Sequence, residues 1–214
     1  MSDFPWIDAA EALGTWAVAI AAIWGGRIQS LLYPPGLKIA LENNTGDLTT
    51  ETLFTRGEDG QITSRQRQGR YFRIVVSNTR KGRWPTAHNA QVLLTTIEAP
   101  GPSGQPQVTW RGELPLGWMH GEAFPPVRDI GPPATADFIV VTSENTMHIQ
   151  TVIEPASTFQ RNYAGPTRLW LTVLARTQEV DSNQLRVEVG WDGKWDAGTA
   201  EMGSHFKLSS TAAL

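Results

Sequence analysis

From Ala12 to Gly26 the chain reads ALGTWAVAIAAIWGG without one charged side chain, and Pro34 and Pro35 follow shortly after. No proline lies between Trp6 and Pro34. Proline cannot donate a backbone hydrogen bond and drives its predecessor toward extended geometry, so the pair ends any helix that reaches it. One hydrophobic helix over about residues 7–33 is therefore expected, within an N-terminal segment 1–35, ahead of a domain at 36–214. Leu, Ile, Val and Trp surround this helix on all sides, whereas a surface helix of a soluble domain would show a polar face.

Length decides whether such a helix can span a bilayer. About 20 apolar residues cross roughly 30 Å of hydrocarbon. The uncharged window covers only about 22 Å, Trp6 to Trp24 about 27 Å, and extension to Tyr33 about 40 Å. A span thus places Glu11 or Arg27 at headgroup depth, and Arg27 can snorkel there along its aliphatic stem. Trp6, Trp16, Trp24 and Tyr33 fall where interfacial aromatic belts occur. The other reading is an amphipathic helix docked on the following domain.

Orientation follows from charge. Asp3, Asp8 and Glu11 precede the run with no Lys or Arg, opposite to the basic start of a signal peptide. Arg27 and Lys38 come after it, which predicts a single-pass protein of the bacterial inner membrane with a cytoplasmic C-terminal domain. The absence of cysteine fits that compartment. Gly14, Ala17, Ala21 and Gly25 supply small residues at spacings that let two helices approach closely in lipid, which predicts self-association.

Beyond Pro35 the apolar residues come in short runs broken by Gly, Pro, Asn and Asp. That pattern belongs to an antiparallel sandwich or barrel of roughly 180 residues. Strands are expected at 37–42, 70–78, 89–98, 107–114, 136–142, 147–153, 168–177, 184–191 and 205–209. In 184–191, Leu185, Val187 and Val189 alternate with Arg186, Glu188 and Gly190, so one face should be wet. Asp192-Gly193 signals a turn, and the polar stretch 45–68 reads as a long loop or irregular hairpin.

The segment YFRIVVSNTRKGRWPTAHNAQVLL, residues 71–94, resembles Ig-like adhesion-type domains of the CARDB kind. The likeness rests on Asn78, the corner at Ala87 and Asn89, and the strand through Val92 and Leu94. More broadly, three features resemble a group of uncharacterised bacterial single-span proteins: Leu13 to Trp16, the corner with Pro85, and the turn from Trp191 to Gly193. That resemblance covers nearly the whole chain. It implies a mainly β fold, an Ig-like antiparallel sandwich preceded by one hydrophobic helix, and anchoring. It implies no activity.

No catalytic motif stands out. His88, His120, His148 and His205 are scattered over separate elements, and only His120 and Glu122 are close neighbours, so no zinc site is expected. Nucleophile elbows, phosphate-binding glycine loops and metalloprotease helices are absent from the sequence. Asp192 and Asp196 lie in a turn with Trp191, Lys194 and Trp195. That group reads as a hairpin, with an aromatic platform for a sugar as the rarer use.

Charge is less even. Residues 62–97 carry seven basic side chains and no acid: Arg65, Arg67, Arg70, Arg73, Arg80, Lys81 and Arg83. In a chain of net charge -3 this is a local basic island. A solvated strand face competes with contact to anionic lipid, or to a phosphate-bearing ligand, through Arg65, Arg67, Arg80, Lys81 and Arg83. The acidic pI near 5.8 argues against general nucleic-acid binding. The expectation is a membrane-anchored interaction or sensing module, not an enzyme, needing no cofactor. Its partners would be membrane lipid and a protein or a second copy. Two alternatives are a membrane-perturbing effector of a bacterial defence or stress system that oligomerises through its helix, and a soluble binding protein with a docked helix.

Overall fold

The computed structural model describes residues 15, 16, 18, 35–56, 60–79, 86–119, 126–153 and 159–213. In the N-terminal segment Thr15, Trp16 and Val18 are helical, with Trp16 68% and Val18 69% exposed. The remaining anchor residues (Trp6, Trp24, Arg27 and Tyr33) and the small-residue stripe of Gly14, Ala17, Ala21 and Gly25 lie outside the described residues. Among the described residues no helix is long and apolar enough to cross a membrane.

Two antiparallel sheets make a sandwich. The first runs β1 (Leu37–Leu41), β3 (Ile62–Asn78), β7 (Ala134–Thr142), β8 (Thr146–Ile149) and β9 (Asn162–Tyr163), with β2 (Asp47–Arg56) also paired to β3. The second runs β12 (Phe206–Ala213), β11 (Gln184–Trp191), β10 (Thr167–Arg176), β4 (Ala87–Pro100) and β5 (Pro106–Pro115), with β6 (Arg128–Ile130) on β4. One short helix, α1 (Thr199–His205), leads into β12.

Alternation builds the core. In β11, Leu185, Val187, Val189 and Trp191 are buried while Arg186, Glu188 and Gly190 are not. Phe72, Ile74 and Val76 of β3 pack in one cluster with Val92 and Leu94 of β4, Leu171 and Val173 of β10, and Ile139 and Val141 of β7. Each such burial contributes about 1.5–3 kcal/mol. Phe72 also meets Phe206 at the α1–β12 junction, with ring centroids 4.3 Å apart.

The strands follow the sequence reading where one face is apolar. At 45–68 the hairpin alternative holds and the loop does not, and the hairpin is regular: β2 and the first half of β3 form an unbroken ladder from Asp47↔Tyr71 to Arg56↔Ile62. Trp170 is only 7% exposed although it shares the outer face of sheet two with Glu188 and Glu98. Arg168 and Arg186 cover its ring at 5.0 and 5.8 Å. These arginines are in turn paired with Glu188 (2.7 Å) and Glu98 (2.5 Å).

The corner at Ala87 and Asn89 has a specific clamp. Asn89 adopts φ 53°, a left-handed conformation that asparagine tolerates. The Asp129 carboxylate accepts from the Asn89 backbone N–H at 3.0 Å and meets His88 Nδ1 at 2.9 Å. The Asn89 N–H and then the His88 bond hold the Asp129 carboxyl below its ordinary value of 3.8. A folded value below the unfolded one means that this contribution is present above pH 3.8 and fades as pH falls through the lower folded value. An NMR titration of the Asp129 carboxyl should give a midpoint under 3.8. In His88→Ala the midpoint should move up yet stay depressed, because the stronger Asn89 bond remains. A midpoint at or above 3.8 in the unmodified protein would refute the clamp.

Candidate interaction surface

The ladder between β2 and β3 projects beyond the sandwich. The pairing of β3 with β7 stops at Gly69↔Thr142, so residues 62–68 have β2 on one side and no full strand on the other. Ser143 braces the base, donating its N–H to Gln68 O at 2.8 Å and accepting from Gln68 N–H at 3.3 Å. At about 3.3 Å per residue the ribbon reaches out roughly 25 Å.

Its two faces differ in chemistry. One carries the pairs Glu51↔Arg67 and Leu53↔Arg65. Arg67 grips Glu51 Oε2 through Nη2 at 2.6 Å and Nε at 3.1 Å, and Glu144 of the β7–β8 turn takes Arg65 at 2.7 Å and Arg67 at 3.6 Å. The other carries Leu48↔Arg70, Thr50↔Gln68, Thr52↔Gln66, Phe54↔Ser64 and Arg56↔Ile62. Because side chains alternate, this second face continues the side of β3 that sends Phe72, Ile74 and Val76 into the core. Sheet two does not extend over it: Leu48 is 46%, Phe54 72% and Ile62 70% exposed.

The basic island therefore divides. Arg65 and Arg67 are ion-paired on the charged face of the ribbon. Arg73 is largely buried between Asp137 (2.9 Å) and Asp47. Arg70, 2% exposed, points into the end of the sandwich and bonds backbone carbonyls. Arg80, Lys81 and Arg83 lie outside the described residues.

A second concavity of about 460 Å³ opens on the outer surface of sheet two, where Gly190 sits between Arg168 and Lys207. Asp192, Ser204 and His205 close one end. His205 Nδ1 meets Asp192 Oδ2 at 2.7 Å, and this bond holds the Asp192 carboxyl below its ordinary range. The Ser204 hydroxyl donates to the Glu201 carbonyl at 2.7 Å. The three side chains thus stand together without the serine–imidazole bond that nucleophilic catalysis uses. His148 likewise has a local partner in Asn162 Oδ1 at 2.6 Å. Trp191 is 4% exposed and its indole N–H donates to Lys194 O at 2.8 Å, so it belongs to the core and offers no platform to a sugar. Among the described residues no group of three His, Asp or Glu side chains is placed to hold a metal ion.

Leu48, Phe54 and Ile62 were not candidates on sequence grounds, because a single leucine or phenylalanine among threonines has no apolar period. The available signal was propensity: in DLTTETLFTR, five of ten residues are Thr or Phe, which strands favour, with no Gly or Pro. Comparison of the chain with protein families, curated proteins and solved structures gives no match.

Proposed function

We propose that the protein is a membrane-anchored, non-enzymatic interaction or sensing module, held by its N-terminal hydrophobic helix with the sandwich in the cytoplasm. The apolar run at 12–26 and the positive charge after it support the anchor and its orientation. The exposure of Trp16 and Val18 supports a helix with its apolar side turned away from the sandwich. We also read the sandwich as Ig-like. In that fold strand B neighbours E and strand C neighbours F; β3 with β7 and β4 with β10 have this relation. The strand beside β7 is β8, which follows β7 in the chain, whereas strand D precedes E in the Ig order.

The observation that carries the reading is the ribbon, a core-like face extended past the layer that would cover it. Leu48, Phe54 and Ile62 lie exposed on that face, with threonines and glutamines between them, and apolar side chains gathered on one projecting face support an interaction surface. A photo-reactive amino acid at Phe54 in the full-length chain tests both parts. The protein should fractionate with membranes and form protein adducts from position 54, with few from Val108, an exposed apolar position on β5. A full-length chain that is soluble overturns the anchor, and equal adducts from 54 and 108 overturn the role of the ribbon.

A further inference from the structure

We propose that the ribbon's partner is a second copy of this chain, joined by antiparallel pairing of the two β2 edges about a two-fold axis at Glu51. The inference deepens the interaction reading above and rests on it.

The edges of sheet one are treated unequally. At the middle of β1 the Asn183 side chain closes the outward backbone groups of Ile39, accepting from its N–H at 3.1 Å and donating to its C=O at 3.3 Å. An amide there takes the place of a neighbouring strand. Nothing similar is bonded along β2: among the described residues its outward N–H and C=O groups have no partner. The usual protections of a free edge are proline, lysine, a bulge or a very short strand. β2 has ten residues, no proline, no lysine and an unbroken register with β3. Such an edge takes up another strand through main-chain bonds, and alternate side chains then select which strand.

The β2 sequence can accept a second copy of itself. A two-fold axis normal to the sheet keeps each face of one copy on the same side as that face of the other, so opposed residues must have equal parity. With Glu51 on the axis, Leu48 meets Phe54 and Thr50 meets Thr52 on the face continuous with the core side of β3, twice over. On the other face Thr49 meets Leu53 and Asp47 meets Thr55. No apolar side chain opposes a charge. Moving the axis to Thr52 would set Leu48 against Arg56 and Leu53 against Glu51. The one unfavourable pair in the chosen register is Glu51 with its symmetry mate. Each of these carboxylates is already neutralised by Arg67 at 2.6 Å, so a row Arg–Glu–Glu–Arg crosses the joined ribbons. The union also sets Leu48 of each copy beside Phe54 of the other, two apolar pairs that flank the central threonines. Anchoring both copies in one bilayer raises their effective concentration, so a short strand pair suffices.

Because the chain has no cysteine, disulfide capture reads the register directly. Opposed residues in antiparallel strands have Cα atoms about 4.5–5.5 Å apart, within disulfide reach. Full-length Glu51→Cys in membranes under mild oxidation should give a linked dimer as its main product. Thr49→Cys, whose two copies would stand roughly 14 Å apart along the strands, should give at least fivefold less. Adding Phe54→Lys to Glu51→Cys should cut the dimer about tenfold without changing the unfolding temperature. Should Glu51→Cys fold poorly, a mixture of Thr50→Cys and Thr52→Cys chains provides the same reading, linking more when mixed than either does alone. Equal linking at 49 and 51, or none in the 50/52 mixture, overturns the pairing. Adducts from position 54 to other proteins without a dimer at 51 sink the second copy and leave the interaction reading standing. Adducts from 54 to the chain itself without a dimer at 51 point to face-to-face packing and overturn edge pairing. No adduct and no dimer sinks both.

Discussion

Arg70→Met should lower the stability of the sandwich by about 3 kcal/mol, far more than Arg65→Gln on the exposed ribbon. The guanidinium is 2% exposed, and among the described residues no carboxylate lies within ion-pair distance. Its partners are Thr45 O at 3.1 Å, Gly46 O at 3.2 Å, Ala197 O at 2.7 Å and Thr199 Oγ1 at 3.4 Å. It therefore ties the β1–β2 turn to the segment leading into α1, across the open end between the two sheets. Two effects compete on substitution. Methionine relieves the cost of burying a charge and keeps much of the apolar stem. It also takes the charged donor from three carbonyls, with the Gly46 bond buried and the others partly so, and bonds to a charged group are worth about 1.5–3 kcal/mol each. Replacing a whole buried polar pair by apolar groups can be neutral, but here the acceptors belong to the backbone and stay behind. The second effect should win. Arg65→Gln is the control: that side chain is 65% exposed and paired only with Glu144, so its loss should stay within about 0.5 kcal/mol. Equal stability of Arg70→Met and the wild type would show that desolvation of the cation outweighs its bonds.

This arginine also shows where a sequence stops being readable. In β10 and β11 the sheet face is written in Leu and Val at every second position, and the boundaries of β11 agree residue for residue. Arg70 occupies a core-facing position by the same alternation, yet its charge makes it look like part of a basic surface. Its carbonyl partners are about 25 and 127 positions away. Glu144, which neutralises Arg65 and Arg67, is equally remote in sequence, so an island without acids in 62–97 becomes a paired face only once the chain is folded. The ribbon was legible only as one of two alternatives, a loop or an irregular hairpin, for the converse reason. Both of its faces meet solvent, so no apolar period marks the strands, and Thr, Ser and Gln read as loop. α1 has one buried residue, Met202, and a glycine and serine in its last turn, too little for a helical stripe. Trp170 looks like a second core face of β10, but its cover is two arginines with their own carboxylates rather than another layer. The missed features share one cause, because they rest on contacts distant in sequence or on surfaces outside the core.

Gly46→Ala should be the most damaging of the glycine-to-alanine changes at three positions, costing about 3 kcal/mol. Gly46 has φ +64°, and its N–H donates to Asn43 Oδ1 at 2.7 Å, which bends the chain between β1 and β2. Alanine there bears the steric cost of the left-handed region, about 1–2 kcal/mol. Its methyl would also stand 2.9 Å from both Arg70 Cγ and Phe72 Cε1. Neither neighbour can yield, because Phe72 is packed against Phe206 and Arg70 is fixed by its carbonyls, so overpacking adds about 1–3 kcal/mol. Gly60 isolates the first term: φ is +79° and nothing lies within 4 Å of an added Cβ, so Gly60→Ala should cost only about 1–2 kcal/mol. Gly190 removes both, since a Cβ meets open space within a regular strand. Gly190→Ala should be neutral or stabilise by about 0.5–1 kcal/mol through lower freedom in the unfolded chain. Chemical denaturation of the three variants ranks these terms. If Gly46→Ala lost no more than Gly60→Ala, the close approach of Arg70 and Phe72 to the turn would be wrong. The packing assigned to the end of the sandwich, from which the ribbon springs, would fall with it.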